Sequence, residues 1–191
     1  KLFTVSADYL GFHVSESGVS MQDSYVERIL EWPAPKTPKE MNTFLGFVGY
    51  YRSFIREFSS LTHAMNAQRK EKTLTWTEEM QHDFEELKKA FEKRPIRSYP
   101  RYDIEEKFQI TTDFSAKSIG GILSQVQDGQ ERLIGCSARK CTPYEKNYPL
   151  VKGELSALLY ICRKYEHILR YRPFIVNTDS QALKYLRNLK C

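Results

Sequence analysis

Hydrophobic residues repeat at two different periods, helical in the first half of the chain and strand-like after Tyr102. Phe3, Val5, Tyr9, Leu10, Phe12 and Val14 predict a β-hairpin over residues 1–20, with turn chemistry at Glu16-Ser17-Gly18. Ser24 and Glu27 form a Ser-x-x-Glu capping box for a short helix with Val26, Ile29 and Leu30 on one face. Pro33 and Pro35 break it, making Trp32-Pro33-Ala34-Pro35 a rigid linker. Thr37, Pro38 and Glu40 give a stronger start signal. Met41, Phe44, Leu45, Val48, Tyr51, Phe54 and Ile55 then follow at the spacing of a helix buried on one side. Gly46 and Gly49 weaken that helix by up to about 1 kcal/mol each relative to Ala, unless another backbone packs there. The polar stretch 66–72 reads as a loop or helix end, and Thr75 or Thr77 begins another helix. Trp76, Met80, Phe84, Leu87 and Phe91 form its stripe, and Pro95 and Pro100 mark a domain boundary.

Beyond that boundary, Phe108–Thr112, Gly120–Val126 and Arg132–Ser137 predict strands in hairpin order, with a turn at Asp128-Gly129. Thr142-Pro143 opens a long helix whose predicted apolar stripe is Tyr148, Val151, Leu155, Leu158, Cys162, Tyr165 and Leu169. A further strand runs from Pro173 to Asp179, and a last helix begins near Ser180 with Ala182, Leu183 and Leu186. Helices followed by hairpin strands, a helix, a strand and a helix predict an α+β or α/β layered chain with a mixed sheet.

Composition narrows the class. The 191 residues are 41% hydrophobic and 13% aromatic, enough for one or two domains with a core. No apolar run reaches the ~18–20 residues of a membrane span. No signal pattern opens the chain, and Lys1-Leu2-Phe3 lacks an initiator Met, so it reads as part of something longer. Cys136, Cys141, Cys162 and Cys191 have no CxxC spacing and no His at ligand distance, and read as ordinary thiols of a reducing compartment. Net charge is +5, unevenly spread: residues 136–191 hold eleven Lys/Arg against four acids, a local +7. A basic half of this kind suits a polyanion such as nucleic acid, beside the plainer reading of a solvated basic surface.

Three acids stand in telling contexts. Asp113 ends the strand Phe108-Gln109-Ile110-Thr111-Thr112, Glu154 lies on the margin of the long helix's stripe, and Asp179 ends the last strand. Glu154 is expected to point at the sheet while staying solvent-accessible. Singly, each has a plain explanation as a turn former, a helix cap or a surface residue. In this order they can converge on a pair of divalent cations roughly 3.5–4 Å apart, the arrangement that hydrolyses phosphodiesters. Hard oxygen ligands point to Mg²⁺ or Mn²⁺.

The chain closely resembles the Pol polyprotein of gypsy-type LTR retrotransposons along essentially its whole length. Tyr9-Leu10-Gly11-Phe12-His13-Val14-Ser15 with Gly18-Val19 is similar to the family's primer-grip hairpin at the end of the palm. Trp32-Pro33-Ala34-Pro35-Lys36-Thr37-Pro38-Lys39-Glu40 with Phe44-Leu45-Gly46-Phe47-Val48-Gly49-Tyr50-Tyr51-Arg52-Ser53-Phe54-Ile55 is similar to its thumb signature. Trp76-Thr77-Glu78 and Phe84-Glu85-Glu86-Leu87-Lys88 continue the thumb. Thr112-Asp113-Phe114-Ser115, Gly120-Gly121-Ile122-Leu123-Ser124-Gln125, Ser137-Ala138-Arg139, Tyr144-Glu145-Lys146-Asn147-Tyr148, Glu154-Leu155-Ser156-Ala157 and Thr178-Asp179-Ser180-Gln181-Ala182-Leu183 resemble its RNase H domain in order.

The resemblance implies three parts: palm end over 1–20 with Leu10 and Gly11 primer-grip-like, a helical thumb over 21–97, and a C-terminally incomplete RNase H-like fold over 98–191. It implies Asp113, Glu154 and Asp179 as catalytic ligands of two Mg²⁺ or Mn²⁺ ions, with the family's fourth acid beyond the helix at Ser180. The family has Ala at position 114 and His at position 180, where this chain has Phe114 and Ser180. It also implies a nucleic-acid grip. Candidate contacts to a primer-template duplex or RNA–DNA hybrid are Tyr51 (or Tyr50), Arg52, Arg56, Lys88 and Lys89, with Arg139, Lys140 and Lys146 near the acids. Core packing competes for the aromatics, and a solvated helix face for Lys88 and Lys89.

The parent is then expected to be an RNA-directed DNA polymerase and ribonuclease H of a cytoplasmic particle or the nucleus, joined to the rest of the polyprotein. The polymerase's catalytic Asp pair is not in this stretch. Leu10, Phe12 and Val14 are expected to form an exposed patch supporting self-association or a host partner. The competing function is a host-adopted remnant serving as a non-catalytic binding module.

Overall fold

The computed structural model describes residues 5–178. The chain divides into two compact units, Lys1–Tyr99 and Pro100–Cys191.

In the first unit, β1 (Ser6–Tyr9), β2 (Phe12–Ser15) and β3 (Gly18–Met21) form an antiparallel sheet in sequential order, a meander where a single hairpin was expected. Leu10 belongs to no strand: it stands in the β1–β2 turn at φ 47 with Gly11 at φ 85. Gly18 is fixed by close approach, because a Cβ there would come within 3.0 Å of the Arg97 carbonyl carbon. That contact accompanies a bridge between Val19 and Arg97.

Helix α1 (Asp23–Leu30) starts one residue before Ser24, with Gln22 as a cap that makes no side-chain bond, so the Ser24–Glu27 capping box does not form. Helix α2 (Pro38–Tyr50) begins as its sequence dictates: Glu40 N donates to Thr37 Oγ1 at 3.2 Å. The Glu40 carboxylate reaches back to Lys36 N at 2.8 Å, which lowers its pKa. The helix stops at Tyr50 and a 3₁₀ turn, Arg52–Phe54, carries the apolar series on to Ile55. Among the described residues no other element's backbone packs on Gly46 or Gly49; nothing outside the helix would lie within 4 Å of a Cβ at either.

Short helices α3 (Phe58–Leu61) and α4 (His63–Ala67) lead to α5 (Glu78–Glu92), capped by Thr77, which accepts from Met80 N at 3.2 Å. Met80, Phe84, Leu87 and Phe91 of α5 join Met41, Phe44, Val48, Tyr51 and Phe54 in one core.

The second unit is built on β4 (Phe108–Phe114), β5 (Ser118–Gln127), β6 (Gln130–Lys140) and β7 (Phe174–Asn177), in the order β6-β5-β4-β7. The first three are antiparallel neighbours, and β7 joins β4 in parallel. Asp128 and Gly129, both at positive φ, make the tight β5–β6 turn.

Helix α6 (Leu150–Lys164) packs on β4 and β5, and a short α7 (Glu166–Leu169) follows. Helix α6 does not open at Thr142-Pro143. Those residues lead into a 3₁₀ turn, Glu145–Asn147, and Tyr148 is held extended at ψ 138 before Pro149. The residue before a proline avoids helical geometry, so α6 starts only at Leu150.

Its buried face is also rotated from the predicted stripe. Gly153, Glu154, Ala157 and Ile161 are buried, while Val151 is 47% exposed. Glu154, Ala157 and Ile161 each lie one residue before a predicted position, a turn of about 100°. Small residues explain the rotation. A Cβ at Gly121 would lie 2.8 Å from Ile161 Cγ1, so helix and sheet touch closely where side chains are least.

Candidate metal and nucleic-acid site

The central strand β4 presents alternate side chains to α6. Phe108 and Ile110 share a buried cluster with Ile161 and Tyr165. Further along, Thr112 Oγ1 donates to Glu154 Oε2 at 3.4 Å. The Phe114 ring lies where a Cβ of residue 153 would stand. Asp113, at the intervening position, is exposed and pairs with Gly120 of β5. It lies within β4, which continues through Phe114, so it is the penultimate residue of the strand.

Glu154 is 6% exposed. The expected solvent-accessible margin position is therefore corrected: the rotation of α6 carries this carboxylate into the buried face. The register sets Thr111 of β4 level with Asn177 of β7. Asp113 follows Thr111 by two residues, as Asp179 follows Asn177 in the sequence. Asp179, with the helix expected at Ser180, lies outside the described residues. Among the described residues there is no group of three or more acids, histidines or cysteines placed to hold a metal ion.

The candidate cations separate by what they touch. Arg52 and Arg56 are exposed. Lys89 is exposed and pairs with Glu86 at 2.8 Å, which raises its pKa. Lys140 and Lys146 are exposed on the second unit.

Three candidates turn inward. Tyr51 is 2% exposed, its hydroxyl bonded to Gly11 O at 3.4 Å. Burial pushes its pKa up to about 12, and it packs within the core where a stacking role was the alternative. Tyr50 is 53% exposed. Lys88 Nζ donates to Leu30 O at 2.8 Å and to Trp32 O, closing the end of α1. Desolvation lowers its pKa. Arg139 binds both oxygens of Glu145.

The apolar patch expected at Leu10, Phe12 and Val14 is reduced as well. Leu10 is 67% exposed. Phe12, by contrast, stacks 5.1 Å from Tyr50 and 5.8 Å from Phe54 and packs against the core.

Sequence reasoning missed Thr112, Gly153 and the Arg139–Glu145 pair. A glycine inside a helix pattern, and Thr-x-x-Glu at Thr142–Glu145, were the available signals.

A mixed sheet of three antiparallel strands and one parallel strand, crossed by a helix that carries an acid to the central strand, defines an RNase H-like fold. Residues 76–176 match the family model of the RNase H-like domain found in reverse transcriptase, and the chain belongs to that family. The retrovirus-related Pol polyprotein from transposon 297 of Drosophila melanogaster is 34% identical over 186 residues, 96% of this chain and 17% of that protein. The transposon Tf2-3 polyprotein of Schizosaccharomyces pombe is 30% identical over 179 residues, 92% of this chain and 13% of that protein. The chain thus spans less than a fifth of these relatives.

Two solved structures share the fold. A foamy viral protease-reverse transcriptase in complex with dsDNA has a TM-score of 0.74 at 18% identity, covering 100% of this chain and 40% of that one. The same kind of protein in complex with an RNA/DNA hybrid has a TM-score of 0.72 at 19% identity, covering 95% and 25%.

Proposed function

We propose that this chain is the part of a retrotransposon reverse transcriptase in which a thumb grips a nucleic-acid duplex and an RNase H domain hydrolyses the RNA strand of an RNA–DNA hybrid. The observation that carries the reading is Glu154, buried on α6 and bonded to the hydroxyl next in sequence to Asp113 on the central strand. A carboxylate held in place by a helix packed on the sheet is the kind of rigid oxygen ligand that two-metal chemistry needs. The donors suit the ion, being carboxylate oxygens that favour Mg²⁺ or Mn²⁺.

Asp113, Glu154 and Asp179 would hold the pair of ions. When bound, the metal supplies an activated water and stabilises the leaving oxygen. Thr112 orients the Glu154 carboxylate through its hydroxyl, and α6 excludes water from one side of it.

The thumb reading is supported by α2. Its bare Gly46 and Gly49 leave backbone open to a closely approaching partner, and exposed Arg52 and Arg56 follow it. These are groups that would meet phosphates without reading sequence.

The test is cleavage of an end-labelled RNA–DNA hybrid with Mg²⁺ or Mn²⁺, with Glu154→Gln in parallel. Cleavage that Glu154→Gln abolishes is expected. Cleavage that survives Glu154→Gln, or a protein that neither cleaves nor binds the hybrid, overturns the reading.

A further inference from the structure

Phe114 and Gly153 interlock at the end of β4. A Cβ on residue 153 would clash with one edge of the Phe114 ring, so the two positions cannot both carry bulk as they stand. The ring is seated against Ile119, Cys141 and Ala157, each at most 7% exposed, which limits its retreat. Glycine in a helix forgoes helix propensity, so its presence at 153 calls for a packing reason, and this contact supplies one. The next residue is Glu154. Thr112 and Phe114 share one face of β4: the first meets the Glu154 carboxylate, and the second meets the backbone just before it. The ring therefore stops the first turns of α6 at a fixed height above the strand, and the carboxylate comes to rest at the Thr112 hydroxyl.

We infer that the Phe114–Gly153 interlock sets the depth of the Glu154 carboxylate, making Phe114 a positioning residue for the cation site. The inference rests on the reading of Glu154 as a metal ligand and adds to it a residue that touches no ion. The two residues act as one unit. A side chain at 153 lifts α6 or expels the ring, and a small residue at 114 removes the stop. Ala at 114 together with Ala at 153 removes the overlap, although the two methyl groups leave most of the ring's space unfilled.

The experiment compares the chain with Gly153→Ala, Phe114→Ala and the double variant. Two readouts are used: the metal-free ¹³Cδ resonance of Glu154 at fixed pH, assigned through Glu154→Gln, and Mn²⁺ binding followed by electron paramagnetic resonance. Gly153→Ala should shift the resonance and weaken Mn²⁺ binding ~10-fold or more, the usual cost of disturbing the support of a ligand. The double variant, freed of the overlap but lacking the ring, should recover both readouts only in part relative to Gly153→Ala. If Phe114→Ala does not fold, Phe114→Leu takes its place and should give a smaller displacement in the same direction.

An unmoved resonance in Gly153→Ala, or a double variant whose losses simply add, overturns the inference. Mn²⁺ binding that is unchanged in Glu154→Gln removes the metal reading instead, while the metal-free resonance still decides the interlock.

Discussion

Arg139 donates from both terminal nitrogens to Glu145, at 2.7 Å to each carboxylate oxygen. Thr142 N adds a third donor at 2.8 Å. These bonds, the arginine's first, pull the Glu145 pKa from 4.5 down to about 2. The folded value lies below the unfolded one, so the pair's stabilisation is complete above about pH 4.5 and fades as pH falls toward 2. The urea midpoint of the second unit should decline across that window, and Glu145→Gln should flatten the decline. Equal slopes in both proteins would show that other carboxylates carry the acid sensitivity.

Lys88 is expected to matter for folding more than for binding. Its ammonium satisfies two main-chain carbonyls at the end of α1 and sits 4.7 Å from the Phe84 ring. Lys88→Met keeps the stem and loses those bonds, at about 1.5–3 kcal/mol for a charged donor. Chemical denaturation of the first unit would read this. Duplex affinity, measured where both proteins are folded, should stay within about 2-fold.

The rotated face of α6 gives a paired test. Ala157 is fully buried between helix and sheet, while Val151 is 47% exposed. Ala157→Leu should destabilise by about 1–3 kcal/mol through overpacking. Val151→Lys should change stability by less than about 0.5 kcal/mol. The predicted stripe demands the reverse order, so a thermal melt of the two variants discriminates between the two faces.

Arg52 and Arg56 are exposed cations next to the bare face of α2. Replacing both with Ala should leave the melting temperature within a degree or two and weaken duplex binding. The slope of log affinity against log salt should become shallower by about 0.9 for each phosphate that is no longer neutralised. An unchanged slope in fluorescence anisotropy would place the duplex elsewhere.

Local signals carried most of the fold. Thr37-Pro38 with Glu40, the Thr77 cap and the Asp128-Gly129 turn each act within a few residues, and each lies where the sequence reading set it, Thr77 being one of the two helix starts it allowed. The Ser24–Glu27 box shows the limit of such signals: the pattern is present, but Asp23 is already helical and the box has no end to cap. The α6 error has a different origin. Hydrophobicity ranks Leu155 and Leu158 above Gly153 and Ala157, whereas the sheet selects the small pair because close approach brings atoms of both layers into van der Waals range.

At the site, residue order identified Asp113 and Glu154 as candidates, but burial of Glu154 depended on that same rotation and could not be read from spacing. Charge misled in the same way. Lys88 and Arg139 look like free cations in sequence, and their partners are a helix end and a glutamate reached only by folding.

The parallel pairing of β4 with β7 sets an order of events. Strands β5 and β6 meet across a two-residue turn, but Gln109 and Asn177, bonded at 3.0 Å, are 68 residues apart. Closing a loop of that length costs entropy before any pairing repays it, so local hairpins form first and the distant parallel strand docks late. During synthesis the edge of β4 is exposed until β7 leaves the ribosome. For that interval an open hydrogen-bonding edge is available to neighbouring chains, and speed of translation through residues 141–177 governs how long the hazard lasts.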